Sequence, residues 1–273
     1  MNTPIPHCRL LSLLLAWAWL PATGLAQDAP GSAAAPVDIA APADITADAA
    51  ATAIAAPALE PFVATYEAYN AGKPAGAATL QLVHNAGAQW RVDLGIRANR
   101  GVVGVLGLDI QQSTVFESND GQFKPLSQST VRKGFLLGKK ITGVYDWSAG
   151  VARWTGDIKQ ARSQPIALEP GDLDGLLIDL AIIRDAVPGK RLDYRFVDGG
   201  RVRQHLYEVS MQTENVAVGD LNYRTMRVSR TNGGNDETIF WVANGVPTPV
   251  RILQRTDGQD AIDLRLTQYQ GVN

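Results

Sequence analysis

The sequence predicts a mainly β fold: a curved antiparallel sheet forming a barrel or half-barrel, with one amphipathic helix, about residues 172–187, packed on it. Three observations carry this expectation. Apolar and polar residues alternate with period two in stretch after stretch. Residues that tolerate positive φ separate those stretches. One segment alone switches to helical spacing.

The front of the chain stands apart from this pattern. Arg9 supplies a positive charge, and an apolar run from Leu10 to Leu20 follows, broken only by Ser12. Pro21 ends the run and Gly24-Leu25-Ala26 places small residues at both ends of a three-residue site. A charged start, a short apolar middle and a small-x-small site predict a signal peptide over residues 1–26, cleaved after Ala26. The run has 11 residues, short of the roughly 20 that a permanent helical span needs. Cys8, the one cysteine of the sequence, precedes the apolar run and would leave with the signal. Disulfides, thiol catalysis and cysteine–zinc sites are therefore not expected in the mature chain.

Residues 27–61 are dominated by alanine, with Pro30, Pro36, Pro42 and Pro57 spaced through them and no aromatic residue before Phe62. Such a segment cannot bury enough apolar surface to offset its ordering entropy, and the prolines interrupt each candidate helix. It reads as a disordered tether. It also carries five acids, Asp28, Asp38, Asp44, Asp48 and Glu60, and no Lys or Arg. Setting these and Arg9 aside from the 25 basic and 27 acidic residues leaves 24 and 22, a net of +2 from Pro61 onward. That balance argues against nucleic acid, which calls for a strong basic excess.

Residues 62–273 are expected to form a single β-rich domain. Trp90, Val92, Leu94, Ile96 and Ala98 alternate with polar or small neighbours. So do Leu192, Tyr194 and Phe196, then Tyr207, Val209 and Met211, then Ile262, Leu264 and Leu266. Successive strand side chains point to opposite faces, giving each stretch one dry and one wet side, as antiparallel sheets allow. Asn70-Ala71-Gly72, Asn119-Asp120-Gly121, Ser148-Ala149-Gly150, Asp198-Gly199-Gly200, Asn232-Gly233-Gly234, Asn244-Gly245 and Asp257-Gly258 supply the turns. The helix is announced by Asp172 or Asp174 as a cap after Pro170-Gly171. Leu173, Leu176, Leu177, Leu180, Ile183 and Val187 then recur at helical spacing, and Pro188-Gly189 stops it. Asp179 and Arg184 lie off that apolar line.

Few residues carry chemistry. His84 and His205 lack a partner at zinc-ligand spacing and are expected at the surface. Neither a nucleophile elbow nor a phosphate-binding loop occurs. Asp172 and Asp174 are explained by the positive end of the helix dipole, and Asp146 as a strand-end or turn residue. No catalytic residue, metal site or cofactor is expected. Two loops are less routine: Gly101–Leu108 and Gly134–Gly138 are apolar where loops are usually polar, and Arg132, Lys133, Lys139 and Lys140 flank the second. Val102, Val103, Leu106, Phe135, Leu136 and Leu137 are therefore the candidate ligand-binding residues. They would line a pocket mouth or touch lipid, or else fold back to plug one end of the barrel.

Several segments are familiar. Tyr66-Glu67-Ala68-Tyr69-Asn70-Ala71-Gly72-Lys73-Pro74-Ala75-Gly76 sets an aromatic strand against a glycine-bounded turn. Lys139-Lys140 precede Val144-Tyr145-Asp146-Trp147, and the chain ends with Phe240-Trp241-Val242, Pro249-Val250-Arg251-Ile252 and Leu264-Arg265-Leu266. From Phe62 onward the sequence resembles the domain of unknown function 3108 family, exported envelope proteins of Gram-negative bacteria. The resemblance implies a β-rich periplasmic domain and carries no catalytic residues. The resulting expectation is a non-enzymatic periplasmic envelope protein that binds or carries an apolar or lipid-like ligand in a curved sheet. The alternative is a structural protein docking an envelope protein partner. Neither a nucleic-acid partner nor a permanent span in the mature chain is expected.

Overall fold

The computed structural model describes residues 59–100, 108–134 and 138–271, all within the compact unit Ala56–Asn273. The expected signal peptide, its cleavage at Ala26 and the tether as far as residue 58 lie outside the described residues. The strands form one antiparallel sheet built from two meanders. The first comprises β1 (Phe62–Asn70), β2 (Lys73–Ala86), β3 (Gln89–Ala98), β4 (Asp109–Asn119), β5 (Gln122–Lys133), β6 (Lys139–Asp146), β7 (Val151–Gly156) and the short β8 (Ile166–Ala167). After the helix α1 (Gly175–Asp185), the second comprises β9 (Arg191–Asp198), β10 (Arg201–Val218), β11 (Leu221–Arg230), β12 (Thr238–Ala243), β13 (Arg251–Thr256) and β14 (Gln259–Gly271). The meanders join where β1 pairs with β14, so β8 and β9 are the two ends of the sheet.

The alternation sets which side is dry. Leu82, Val92 and Thr114 share one cross-strand row, and His84, Trp90 and Phe116 the next, all on the concave face. Phe62, Ala64, Tyr66, Ala68, Leu264 and Leu266 continue that face through the centre of the sheet. Tight turns hold the register: Ala71-Gly72 and Asp120-Gly121 adopt φ of 48°, 74°, 49° and 73°, the left-handed pair that matches the twist of two-residue hairpins.

One residue departs from the pattern. Met211, expected beside Tyr207 and Val209 in the core, is 75% exposed. The β10–β11 register shifts between Val209 and Thr213, and the extra residues in β10 turn Met211 outward. Period-two reading cannot anticipate a bulge, because the bulge is what interrupts the period.

The sheet does not close by strand pairing; it rolls. Phe196 of β9 faces the main core, so its neighbour Val197 faces the opposite side, and there it packs against Tyr145, Ala152 and Trp154. Those three belong to β6 and β7, so one end of the sheet lies over the back of the other. The Tyr145 hydroxyl donates to the Val197 carbonyl at 2.6 Å. The segment between β8 and α1 stitches the overlap: Leu173 forms a parallel bridge with Phe196, donating to the Arg195 carbonyl at 3.0 Å and accepting from the Val197 amide at 2.8 Å.

The helix packs on the concave face against β3, β4, β5 and β9. Asp174 caps it, accepting from the Leu177 amide at 3.0 Å. The apolar run ends earlier than the spacing predicts, leaving Val187 54% exposed beyond the helix. Burial is also wider than one stripe. Ile178, Ala181 and Ile182 are buried along with Leu176, Leu177 and Leu180. Asp179, off the apolar line, is therefore partly buried and not fully solvated. Burial raises its carboxyl well above the usual range, and Asp174 adds like-charge repulsion. Burial also raises the hydroxyls of Tyr66 and Tyr207, and the Asp179 charge raises both further.

This gives a pH dependence with a definite sign. Folded Asp179 keeps a proton that the unfolded chain releases near the ordinary value of about 3.9. Its contribution is whole below that value and is lost as pH rises through the folded value. Asp179→Asn mimics the protonated form. The variant is expected to match the parent in acid and to exceed it in stability increasingly as pH rises, in urea unfolding measured from pH 4 to 8.

Candidate functional site

A cleft of about 830 Å³ opens at one end of the roll, between the last turns of α1 and the sheet. Strand starts and ends converge there: Phe62 opens β1, Leu82 lies late in β2, Phe123 follows the β4–β5 turn, and Tyr269 lies near the end of β14. Ile183 from α1 and Val246 from the loop after β12 complete the apolar wall. The size falls within the roughly 300–1,000 Å³ of sites for small organic ligands.

Arg184 is the charged group of the inner wall, and its neighbours hold it fast. Its guanidinium lies 4.7 Å from the centre of the Phe123 ring and donates to the Gly121 carbonyl. Two of its nitrogens pair with the two Asp185 oxygens, each at 2.7 Å. Tyr194 also donates to Asp185 at 3.0 Å. Burial alone would raise Asp185, but these partners hold its carboxyl below the usual range. The lining is thus mixed: Phe62, Leu82, Phe123, Ile183 and Val246 give it an apolar side, Glu60, Ser118 and Asn244 add polar groups, and its one cation is already paired.

A second cluster sits at the other end of α1, which with 11 residues is about 16 Å long. Asp174 accepts from Thr114 at 2.5 Å, and Asp198 accepts from the Gly175 amide. Burial raises both carboxyls, and the charge of Asp174 pushes Asp198 further, so the pair keeps a proton that an ordinary carboxyl would lose. Raised, coupled carboxylates are a familiar acid–base device. Here they accept from the first amides of α1, at the end of the helix away from the cleft. Asp172 is the surprise: it does not cap α1 but binds Arg195 across the overlap.

The candidate residues Val102, Val103, Leu106, Phe135, Leu136 and Leu137 lie outside the described residues. The bases of their loops are adjacent, because Asp109 pairs with Lys133 across β4 and β5. They stand at the end of those strands opposite the cleft. His205, expected at the surface, is buried: it stacks on Phe196 with ring centres 4.5 Å apart, and desolvation lowers its pKa to about 3. His84 is exposed, as expected, with a ring nitrogen 2.8 Å from the Gly87 carbonyl. Asp146 is the last residue of β6, and its carboxylate accepts from the Ser148 hydroxyl and the Ala149 amide of the following turn. Among the described residues no group of three or more His, Cys, Asp or Glu is placed to hold a metal, and no helix is long and apolar enough to cross a membrane.

Fold and cleft together define a β-barrel-like domain of rolled antiparallel sheet, filled by a helix and open at one end. The chain belongs to the family described as Protein of unknown function (DUF3108), whose model matches residues 65–267. Among solved structures it is similar to a β-barrel-like protein of a domain of unknown function, DUF1849, from Brucella abortus. That similarity has 12% identity and a TM-score of 0.46, and covers 79% of this chain and 99% of the other. No curated protein matches the chain.

Proposed function

We propose that this is a non-enzymatic periplasmic envelope protein that binds an apolar, lipid-like molecule in the cleft between α1 and the sheet. The observation that carries the reading is a sizeable cleft with an apolar side built by Phe62, Leu82, Phe123, Ile183 and Val246, whose one cation, Arg184, is already paired with Asp185. Apolar surface left open to water in a folded domain marks a binding site, and the apolar side of the cleft suits an acyl chain or another uncharged apolar group. The predicted leader supports export.

Ala186 lines the cleft just beyond α1. Ala186→Trp is expected to fill the space and weaken binding of the neutral probe N-phenyl-1-naphthylamine at least about tenfold, equivalent to ~1.4 kcal/mol. Urea unfolding checks that the fold is kept. Extraction of protein purified from cells, followed by lipid mass spectrometry, should yield a co-purifying lipid that the variant lacks. Absence of probe binding and of extracted lipid overturns the reading; an abundant crosslinked protein adduct in cells would support envelope docking instead. Fractionation is expected to recover the protein from the periplasm with Gln27 as its first residue. Recovery from the cytosol with Met1 intact refutes the location.

A further inference from the structure

We propose a second binding site, on the outer face of β2–β5: a hollow centred on Gly95 that takes a neutral saccharide through hydrogen bonds. It goes beyond the cleft beside α1, which lies on the concave face of the sheet, and does not depend on it.

Gly95 is a glycine without a local cause. It pairs with Thr79 on one side and Gln111 on the other, in the middle of β3, and no register shift interrupts either ladder there. Its φ lies outside the left-handed region, and a Cβ added to it would meet no atom within 4 Å. Neither conformation nor crowding calls for glycine, although glycine in a strand interior costs stability. With no bulge to explain it, such a residue marks a bend of the sheet or the close approach of another molecule.

The surroundings favour approach. Leu94 and Ile96 pack against the main core, so Gly95 between them belongs to the outer face. Its short neighbours Thr79 and Ser113 keep the floor low, and Asp93, Arg97, Asp109 and Gln111 stand around it. Together they enclose a hollow of about 530 Å³, within the range of small-ligand sites.

Hydrogen-bonding capacity in the hollow is largely unspent. Among the described residues, the side chains of Thr79, Gln111 and Ser113 make no hydrogen bond. Asp109 holds Arg97 at only 3.9 Å, and its other oxygen has no hydrogen-bond partner. Asp93 pairs with Arg91 through one oxygen, at 2.9 Å. The lining therefore offers carboxylate acceptors, a guanidinium donor, and hydroxyl and amide groups that both donate and accept. A ring carrying several hydroxyls matches that mixture, and its C–H face would rest on the bare backbone of Gly95. Two carboxylates against one guanidinium in the described lining disfavour an anionic ligand. A protein partner would call for a large apolar or aromatic anchor, and the largest apolar side chain on this face of the hollow is that of Val131, opposite Gln111.

The test is titration calorimetry of the full chain with three neutral disaccharides, maltose, cellobiose and chitobiose, and with glucuronic acid. At least one neutral sugar is expected to bind, and glucuronic acid at least about tenfold more weakly. Gly95→Val fills the hollow with a residue that strands favour. It is expected to weaken sugar binding at least about tenfold and to raise the urea midpoint, with N-phenyl-1-naphthylamine binding unchanged. Gln111→Ala, at an exposed side chain, is expected to weaken sugar binding about fivefold, the loss of one hydrogen bond, without moving the midpoint. Failure of all three sugars to bind overturns the site, and so does sugar binding that both variants leave intact. A lower midpoint for Gly95→Val assigns the glycine to a bend, and unchanged binding by Gln111→Ala then overturns the proposal. A protein adduct trapped in cells by a photo-crosslinker at position 111, without sugar binding, gives the hollow to a protein partner instead.

Discussion

Arg195→Ala is expected to lower the unfolding free energy of the domain by about 3–5 kcal/mol, as removing one partner of a buried ion pair does. The Arg195 guanidinium reaches both oxygens of Asp172, at 2.5 and 2.6 Å, and Asp172 is fully buried. It also touches Glu169 at 3.1 Å and the Ala167 carbonyl at 3.4 Å. These partners belong to β8 or to the stitch that follows it, while Arg195 itself sits on β9. Its loss strands a buried carboxylate and unties the two ends of the sheet at once. Urea unfolding followed by far-UV circular dichroism measures the change. The double variant Arg195→Leu/Asp172→Leu separates the two effects, because it removes the stranded charge and should recover part of the loss. A loss below 1 kcal/mol in the single variant would mean that the overlap does not depend on this pair.

Trp154→Ala is expected to cost a comparable amount, about 3–5 kcal/mol, from lost burial and the cavity left behind. The indole is 1% exposed and lies edge-on to Tyr145, with ring centres 5.5 Å apart. Beneath it is Gly143, where a Cβ would come within 2.4 Å of the indole nitrogen, so the glycine makes room for the ring. The response should be regional. Hydrogen exchange is expected to rise in β6, β7 and β8 as they lift from β9, while β12, β13 and β14 keep their protection. Uniform loss of protection would show instead that the overlap and the main core unfold as one unit.

Both predictions concern a feature with no local signature in the sequence. Alternation marks Trp154 and Val197 as apolar, but not that one side of β9 meets Phe196's core and the other meets a second layer of the same sheet. The strands were legible because a half-buried strand imposes period two on its own residues, and the helix because Leu173 to Ile183 impose period 3.6. Interiors enclosed from several sides leave no such mark. Asp179 reads as the wet side of a helix because spacing reports faces, not what covers them. His205 reads as a surface residue for the same reason, although it is stacked on Phe196. Nor could the cleft be read: Phe62, Leu82, Phe123, Ile183, Val246 and Tyr269 are scattered over two hundred positions, and each looks like an ordinary core residue. The signal that was available is Arg184, a cation next to an acid at the end of an otherwise apolar helix.

Pairing β1 with β14 has a consequence for how the molecule is made. Phe62 meets Gly271 and Ala68 meets Leu264, so the earliest strand acquires its second neighbour only when the last one arrives. For a polypeptide threaded N-terminus first through a pore, the sheet stays split in two until the final dozen residues emerge. Pairings this distant in sequence form slowly. The two meanders are therefore expected to join last, after each has formed on its own.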